Sequence, residues 1–493
     1  SSKIFYTLKS DPATTANMSA TNPYDEDISD SEPAMLDEDE ALEEIAAEDD
    51  TAMDSGDDAG EEGDDDQVME EYALHNDSVG HFDKFRDSIF CIAAHPTIPS
   101  LIATGGSDGD DEGGIGYLFD STPADSPVLP ESYQTQPAER VERKGIEAIS
   151  TLDGHTDSIN ALAFTLPSGA ALLSGGLDGA LRVWVPSNPS KPLSPWTLLT
   201  SATEVDEINW ISPSASPDHP NTFALGAVDG SVWVYTVDTS APAADSLTIV
   251  QTYFAHTTPC TAGAWSADGS VLATVSEEGS LYVWAPFSDT SSQAIVSLTA
   301  ADARFAVEGG LFSVAIAPSG TYVAVGGAGG AIKIVGLPKA GAEKAKGKKA
   351  GGPGGATQAG VILADLRAQS DSVESLTFAA PPSTVMAAGS VDGSIVLFDA
   401  ARRFAVKRHI REAHAEDSVV QVAFVGRDPK ILVSSGMDGV VRRWDTGGAG
   451  VGESGLVGEW RGHGGGVLGF VGSGGRVVTA GDDGVALVFE EGR

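Results

Sequence analysis

Gly154 to Val185 reads GHTDSINALAFTLPSGAALLSGGLDGALRVWV. A Gly-His turn opens the stretch and an apolar strand follows over Ile159 to Phe164. Pro-Ser-Gly then turns the chain into a second strand at Ala171 to Ser174, and Leu-Asp-Gly turns it into a third, Ala180 to Val185. Asp-Gly between short apolar strands is the strongest short-range hairpin signal. The turn recurs as SDGD at Ser107, VDGS at Val228, EEGS at Glu277, VDGS at Val391, MDGV at Met437 and DDGV at Asp482, with a degenerate AGGA at Ala328. Its second position therefore falls at 108, 178, 229, 278, 329, 392, 438 and 483. The strands that follow end at Phe119, Trp184, Tyr235, Trp284, Val335, Phe398, Trp444 and Phe489. Self-similarity at such a period marks a repeat architecture.

Three strands per copy, with a fourth from the following linker, make one four-stranded blade. The fold class predicted is thus all-β: an eight-bladed β-propeller over 74–493. Only four residues follow Phe489, too few for the last blade's outer strand. The spare strand His75 to Phe82 is predicted to fill that place and remove an open edge. Two insertions interrupt the period, about 120–145 and 336–360. The second carries Lys339, Lys344, Lys346, Lys348 and Lys349 and reads as a solvated surface loop. Residues 1–73 are a different material: between Asp25 and Glu71 stand 24 Asp or Glu and no Lys or Arg. Such a segment buries too little apolar surface to offset its ordering entropy, so a disordered acidic tail is expected. Met18 reads as a start site.

Over the whole chain 72 Asp and Glu oppose 29 Lys and Arg, a formal charge of −43. That field repels nucleic acid and membrane phosphates and attracts cationic partners. Cys91 and Cys260 lie in apolar strands and read as buried free thiols of a reducing compartment. No apolar run approaches the ~18 residues of a membrane span. The expectation is a soluble monomer, cytoplasmic with the nucleus as a second location.

His155, Ser174, Asp178 and Trp184 recur in the same order as His414, Ser434, Asp438 and Trp444. Ser, His and Asp together invite a hydrolase reading. Repetition argues against it, because an active site is needed once and a structural network once per blade. Partial versions occur at His256, Thr274, Glu278, Trp284 and at His463, Thr479, Asp483, Phe489. The fifth copy lacks both acid and His, so its blade is expected to rely on packing. The Gly-rich runs lack the Gly-Lys-Ser/Thr ending of a phosphate loop, and no Cys/His cluster has metal-ligand spacing. No enzyme activity, cofactor or metal is expected.

The Gly-His turn, Ser/Thr-Gly-Gly-x-Asp-Gly and terminal Trp resemble the WD-repeat family. In that family the residues after the Gly-His turn, and the residue before the turn Asp, point to the narrow face around the channel. Carried over, this implies a partner-binding set of Glu207, Glu277, Glu308, Glu374, Glu416 and Asp482, with Phe90, Phe312 and Met437 as aromatic or apolar neighbours. Arg86 is the one cation placed there. EVDEINWISP, SDSVESLTF and FRDSIFCIAAHP, with the acidic leader, resemble the angio-associated migratory cell protein family, whose fungal members are ribosome-assembly chaperones. The resemblance implies capture of the basic N-terminus of a newly made large-subunit ribosomal protein (L-ten, universal L-sixteen class), without direct nucleic-acid or membrane contact. A histone-binding or general scaffold propeller is the alternative.

Overall fold

The computed structural model describes residues 76–109, 113–122, 145–338, 358–426, 428–448 and 455–491. The acidic tail and the bulk of both insertions, the Lys-rich one included, lie outside these residues. Thirty-two strands, β1 (Gly80–Phe82) to β32 (Ala486–Glu490), form eight four-stranded antiparallel sheets. Seven sheets are consecutive, from β2 (Cys91–Ala94) to β5 (Ala148–His155) in the first through β26 (Val419–Phe424) to β29 (Leu456–Trp460) in the seventh. The eighth has the order β1-β32-β31-β30, with β31 at Arg476–Gly481 and β30 at Val467–Ser473, so β1 supplies the outer edge of the last blade. The spare strand is shorter than predicted: only Gly80, His81 and Phe82 pair, opposite Val488, Leu487 and Ala486.

The innermost strands are β2 (Cys91–Ala94), β6 (Ile159–Phe164), β10 (Ile208–Pro213), β14 (Cys260–Trp265), β18 (Leu311–Ile316), β22 (Val373–Phe378), β26 (Val419–Phe424) and β30 (Val467–Ser473). Each touches the next around a closed ring, and β30 returns to β2. Strands such as Thr222–Ala227 and Val385–Ser390 are buried at every position because both faces of a blade are covered by its neighbours. Eight hydrophobic cores result, and each straddles two adjacent blades. The core between the last and first blades contains Phe82, fully buried and stacked on Phe119 at 4.5 Å between ring centroids.

The recurring turn explains its own residues. Gly179 has φ +70°, and a Cβ there would lie 2.0 Å from the Val205 carbonyl oxygen of the next blade. Positive φ and a close backbone approach are what glycine alone tolerates. Asp178 beside it accepts from the Ala180 N–H at 3.0 Å and the Thr156 N–H at 2.9 Å, which ties the turn to the loop entering β6.

Truncating Phe82 to Ala removes a buried aromatic from the closing interface and should cost about 3–5 kcal/mol. Urea unfolding monitored by Trp fluorescence measures it. A loss below about 1 kcal/mol would mean the ring holds without this strand.

Candidate functional site: an acidic channel mouth

One hydrogen bond repeats in all eight blades and builds the mouth of the channel. The first residue of each turn donates its N–H to the carbonyl of the residue immediately before the innermost strand or, in the first blade, of Ser88, three residues before Cys91. The pairs are Ser107 to Ser88, Leu177 to Ser158, Val228 to Glu207, Glu277 to Pro259, Ala328 to Gly310, Val391 to Ser372, Met437 to Ser418 and Asp482 to Gly466, at 2.9–3.2 Å. Turn and loop therefore sit side by side on one face. Just inside, seven innermost strands share a register shift that leaves one residue unpaired: Asn160, Asn209, Thr261, Phe312, Glu374, Val420 and Leu468. Phe90, one residue before Cys91, takes the corresponding place in the first blade.

The predicted partner-binding residues all fall on this face, but at four different positions. Phe90, Phe312 and Glu374 occupy the bulge and rim the channel. Glu207 precedes its strand directly, while Glu308 and Glu416 lie two residues earlier, where the first blade has Arg86. Glu277, Met437 and Asp482 hold the position before the turn acid. Glu207, Glu277, Glu308, Glu416 and Asp482 are exposed, whereas Glu374 and Phe312 are half-buried.

A further ring escaped the sequence analysis. Asp157, Asp206, Asp371 and Asp417 stand two residues before the first paired residue of their innermost strand, Asp87 stands two before Ile89 at the corresponding place, and all five are exposed. The signal was visible in RDSIF, TDSIN, VDEIN, SDSVE and EDSVV. At these mouth positions Arg86 is the one Lys or Arg among the described residues. At Glu374 burial, with the Asp371 charge adding to it, pushes the carboxyl up to about 7. The ring is also stitched across the closing interface, where the Ser88 hydroxyl of the first blade donates to Asp482 of the eighth at 2.6 Å.

Beneath the mouth lie the polar networks. His155 Nδ1 meets Asp178 at 3.1 Å and Nε2 meets Ser174 Oγ at 2.9 Å, while the Trp184 indole donates to the same hydroxyl at 2.9 Å. His414, Asp438, Ser434 and Trp444 repeat this at 2.8–2.9 Å. In both networks the Ser and His are buried, so these triads are scaffold and not open to a substrate. Burial works against the Asp438 carboxylate, yet its hydrogen bonds from His414 and Arg442 prevail and hold it at about 2. His463 contacts Asp483 at 3.0 Å and Thr479 at 2.7 Å, with Phe489 in place of the indole.

Two blades depart from expectation. In the fourth, the longer Glu278 stays 3.8 Å from the ring: His256 Nδ1 meets Ser280 Oγ at 2.6 Å, and the Ser280 hydroxyl donates to Glu278 at 2.7 Å. In the fifth, predicted to rely on packing alone, the buried Lys333 donates to Asp365 at 2.7 Å and to the Arg304 carbonyl at 3.0 Å. Lys333 occupies the strand position that Arg182 and Arg442 hold in blades that keep their His, so the fifth blade retains this cation while lacking the imidazole. Cys91 and Cys260 are buried free thiols as predicted, and burial pushes Cys260 up to about 12.

Burial holds His256 down at about 4 against an ordinary 6.5. The unfolded chain therefore binds a proton first as pH falls, so this His weakens the fold between pH 6.5 and 4. At pH 5 the effect is about 2 kcal/mol. The stability gap between the native chain and H256Q should shrink by that amount from pH 7.5 to pH 5 in urea titrations; a constant gap would show that His256 does not titrate in this window.

Residues 146–185, 247–285 and 406–445 match the WD domain, G-beta repeat. Ribosome assembly protein SQT1 of Saccharomyces cerevisiae is 28% identical over 462 residues, which is 87% of this chain and 92% of the relative. The crystal structure of Chaetomium thermophilum Sqt1 bound to the N-terminus of the ribosomal protein L10 is 50% identical, with a TM-score of 0.72 over 84% of this chain and 100% of that one. The S. cerevisiae Sqt1 crystal structure is 25% identical, with a TM-score of 0.66 over 85% and 99%.

Proposed function

The chain belongs to the Sqt1 family of WD-repeat propellers, and from that membership we propose that it is a dedicated chaperone for a newly made large-subunit ribosomal protein of the L10 class. It binds the basic N-terminal segment of that client on its acidic channel mouth and delivers the client to the pre-ribosome. The observation that carries this reading is the ring of exposed carboxylates, fixed in register by eight repeated hydrogen bonds and nearly free of cations. The Chaetomium relative with the L10 N-terminus bound supports the choice of client. The protein acts as a monomer without catalysis or direct nucleic-acid contact. It works in the cytoplasm, where such a client is made, and in the nucleus if the pair enters it.

The physics is shielding. A ribosomal protein's Lys/Arg-rich segment binds phosphate without specificity until it is covered. Carboxylates around a low-dielectric channel focus the field, speed encounter and accept charge-assisted hydrogen bonds from guanidinium groups. Glu374 is poised for this role, because its half-buried carboxyl is costly to ionise alone and gains most from an incoming cation. Release follows when rRNA, with denser negative charge, competes for the segment.

Hydrogen bonds to charged groups contribute about 1.5–3 kcal/mol each. Exchanging Glu207, Glu374 and Glu416 for Lys together should therefore weaken a Lys/Arg-rich peptide from such a client by at least about 100-fold in calorimetry, and unchanged affinity would remove the mouth as the site. Binding should also depend on pH. Because the Glu374 carboxyl sits near 7, a His-free peptide should bind more weakly at pH 6 than at pH 8, and E374Q should flatten that dependence; a parallel pH profile in the variant would exclude Glu374 as the responding group.

A further inference from the structure

Five of the chain's 29 Lys and Arg fall within ten consecutive residues: Arg402, Arg403, Lys407, Arg408 and Arg411. No Asp or Glu stands among them. The run covers β25 (Ala405–Ile410), the outer strand of the sixth blade, whose partner in the sheet is β24 (Ile395–Asp399). The outward N–H and C=O groups of β25 meet no strand among the described residues. That leaves roughly 20 Å of unpaired edge.

Neighbouring acids do little to neutralise the run. Asp399 is shared, by Arg402 at 3.6 Å and by Lys407 from further off. Arg408 is engaged by the seventh blade, where it donates to the Asp445 carbonyl at 2.7 Å. Arg403, Lys407 and Arg411 are exposed and form no ion pair among the described residues. Lys407 is the unpaired residue of a bulge, between the pairs Arg408–Leu397 and Val406–Phe398. Arg403 and Phe404 stand at φ 55° and 59°, a conformation glycine adopts at less cost. Phe404 holds that turn, being buried and edge-on to Tyr322 at 5.4 Å between ring centroids.

Charge on an outer strand is a common guard against edge-to-edge pairing. Were that its purpose here, the other blades would carry it too. Yet β9 (Trp196–Thr203), β13 (Leu247–Tyr253) and β17 (Val296–Leu298) have no charged residue. β5 and β29 hold one acid each and no Lys or Arg, and β21 (Ile362–Arg367) carries Arg367 together with Asp365. Val406, 53% exposed in the middle of the basic run, is an apolar residue that a guarded edge would avoid.

A basic strand edge on a chain of formal charge −43 fits one kind of occupant. We propose that β25 is a docking edge for an extended Asp/Glu-rich segment of a second protein, which adds to the sixth blade as a fifth strand. Its backbone meets the unpaired groups of β25, and its carboxylates meet Arg403, Lys407 and Arg411. Backbone groups unpaired in a line recognise a peptide, and a nucleic acid has no such backbone to offer. Three inner strands separate β25 from the channel, so this inference stands apart from the basic-peptide reading of the mouth. Together the two surfaces let the propeller hold a cationic segment and an anionic protein at once.

The test uses the full chain, a fluorescent peptide alternating Glu and Thr, and a uridine oligonucleotide of equal charge. In anisotropy titrations the peptide should bind, and R403Q/K407Q/R411Q should weaken it about 10-fold, the effect of three exposed charge pairs. That variant should unfold in urea as cooperatively as the native chain. N-methylating alternate peptide residues removes backbone donors at constant charge and should also weaken binding. Unchanged affinity in the triple variant, or an N-methylated peptide that binds as well as its parent, overturns the docking edge. An oligonucleotide bound more tightly than the peptide, and lost in the same variant, assigns the edge to nucleic acid instead. Failure of the native chain to bind the peptide overturns the proposal as well. If carbodiimide then joins Lys407 to carboxylates of residues 25–71, the occupant is this chain's own acidic segment. A chain that binds the acidic peptide but no Lys/Arg-rich one removes the mouth reading and leaves the edge standing.

Discussion

No blade of this protein has a core of its own. Each of the eight apolar clusters is made by two neighbouring blades, so every sheet is stable only between partners. A linear array of such units would end in two uncovered apolar faces, and closing the ring removes both at once. Closure rests on three paired residues from the N-terminal side of the propeller and on Phe82 wedged against Phe119. That arrangement makes the first and last parts of the described chain partners in one sheet. It also explains why the mouth is well defined, because loops that enter eight mutually buttressed strands have little freedom to move apart.

The polar networks are secondary to that constraint. Full imidazole networks occur in the second and seventh blades, altered ones in the fourth and eighth. The first blade places Phe85 against Tyr117, with ring centroids 5.0 Å apart, where the second has His155 and Arg182. The sixth uses Gln369, whose amide donates to Ser394 at 3.1 Å. What persists without the imidazole is the turn acid as a cap: Asp392 accepts from the Ser394 N–H at 3.0 Å and the Ser370 N–H at 2.7 Å. Loop amides near a mouth need an acceptor whether or not a His lies below, since an unpaired buried donor costs about 1–3 kcal/mol. The acid therefore serves the backbone first and the tetrad second.

This division accounts for what could be read from the sequence. The Asp-Gly turn has a backbone cause, the glycine φ and the cap, so it recurs nearly unchanged and revealed the blade count. Ser174, His155 and Trp184 were legible because one hydroxyl must satisfy two buried nitrogens. The bulge in each innermost strand left no mark, since its occupants range from Asn160 to Glu374 to Leu468, and their shared register appears only once strands pair. Lys333 was likewise unreadable, because a lysine in a strand of a fifth, His-less copy gains meaning only when Asp365 is seen 2.7 Å away. The five Asp residues before the innermost strands were legible in principle. They were masked by an acidic background in which a single carboxylate attracts no notice, and only their common position sets them apart.

That common position also bears on why the mouth has the composition it has. Like charges gathered at a channel rim repel, and at Glu374 the Asp371 charge adds to the larger effect of burial in raising the carboxyl. A propeller that served only as scaffold would gain stability by exchanging such acids for neutral residues or by interspersing cations, as ordinary surfaces do. Here the described mouth positions hold Arg86 alone against the acids. Stability given up at a site where the backbone is otherwise well capped and well packed points to a charge that is absent from the isolated chain and arrives with a partner.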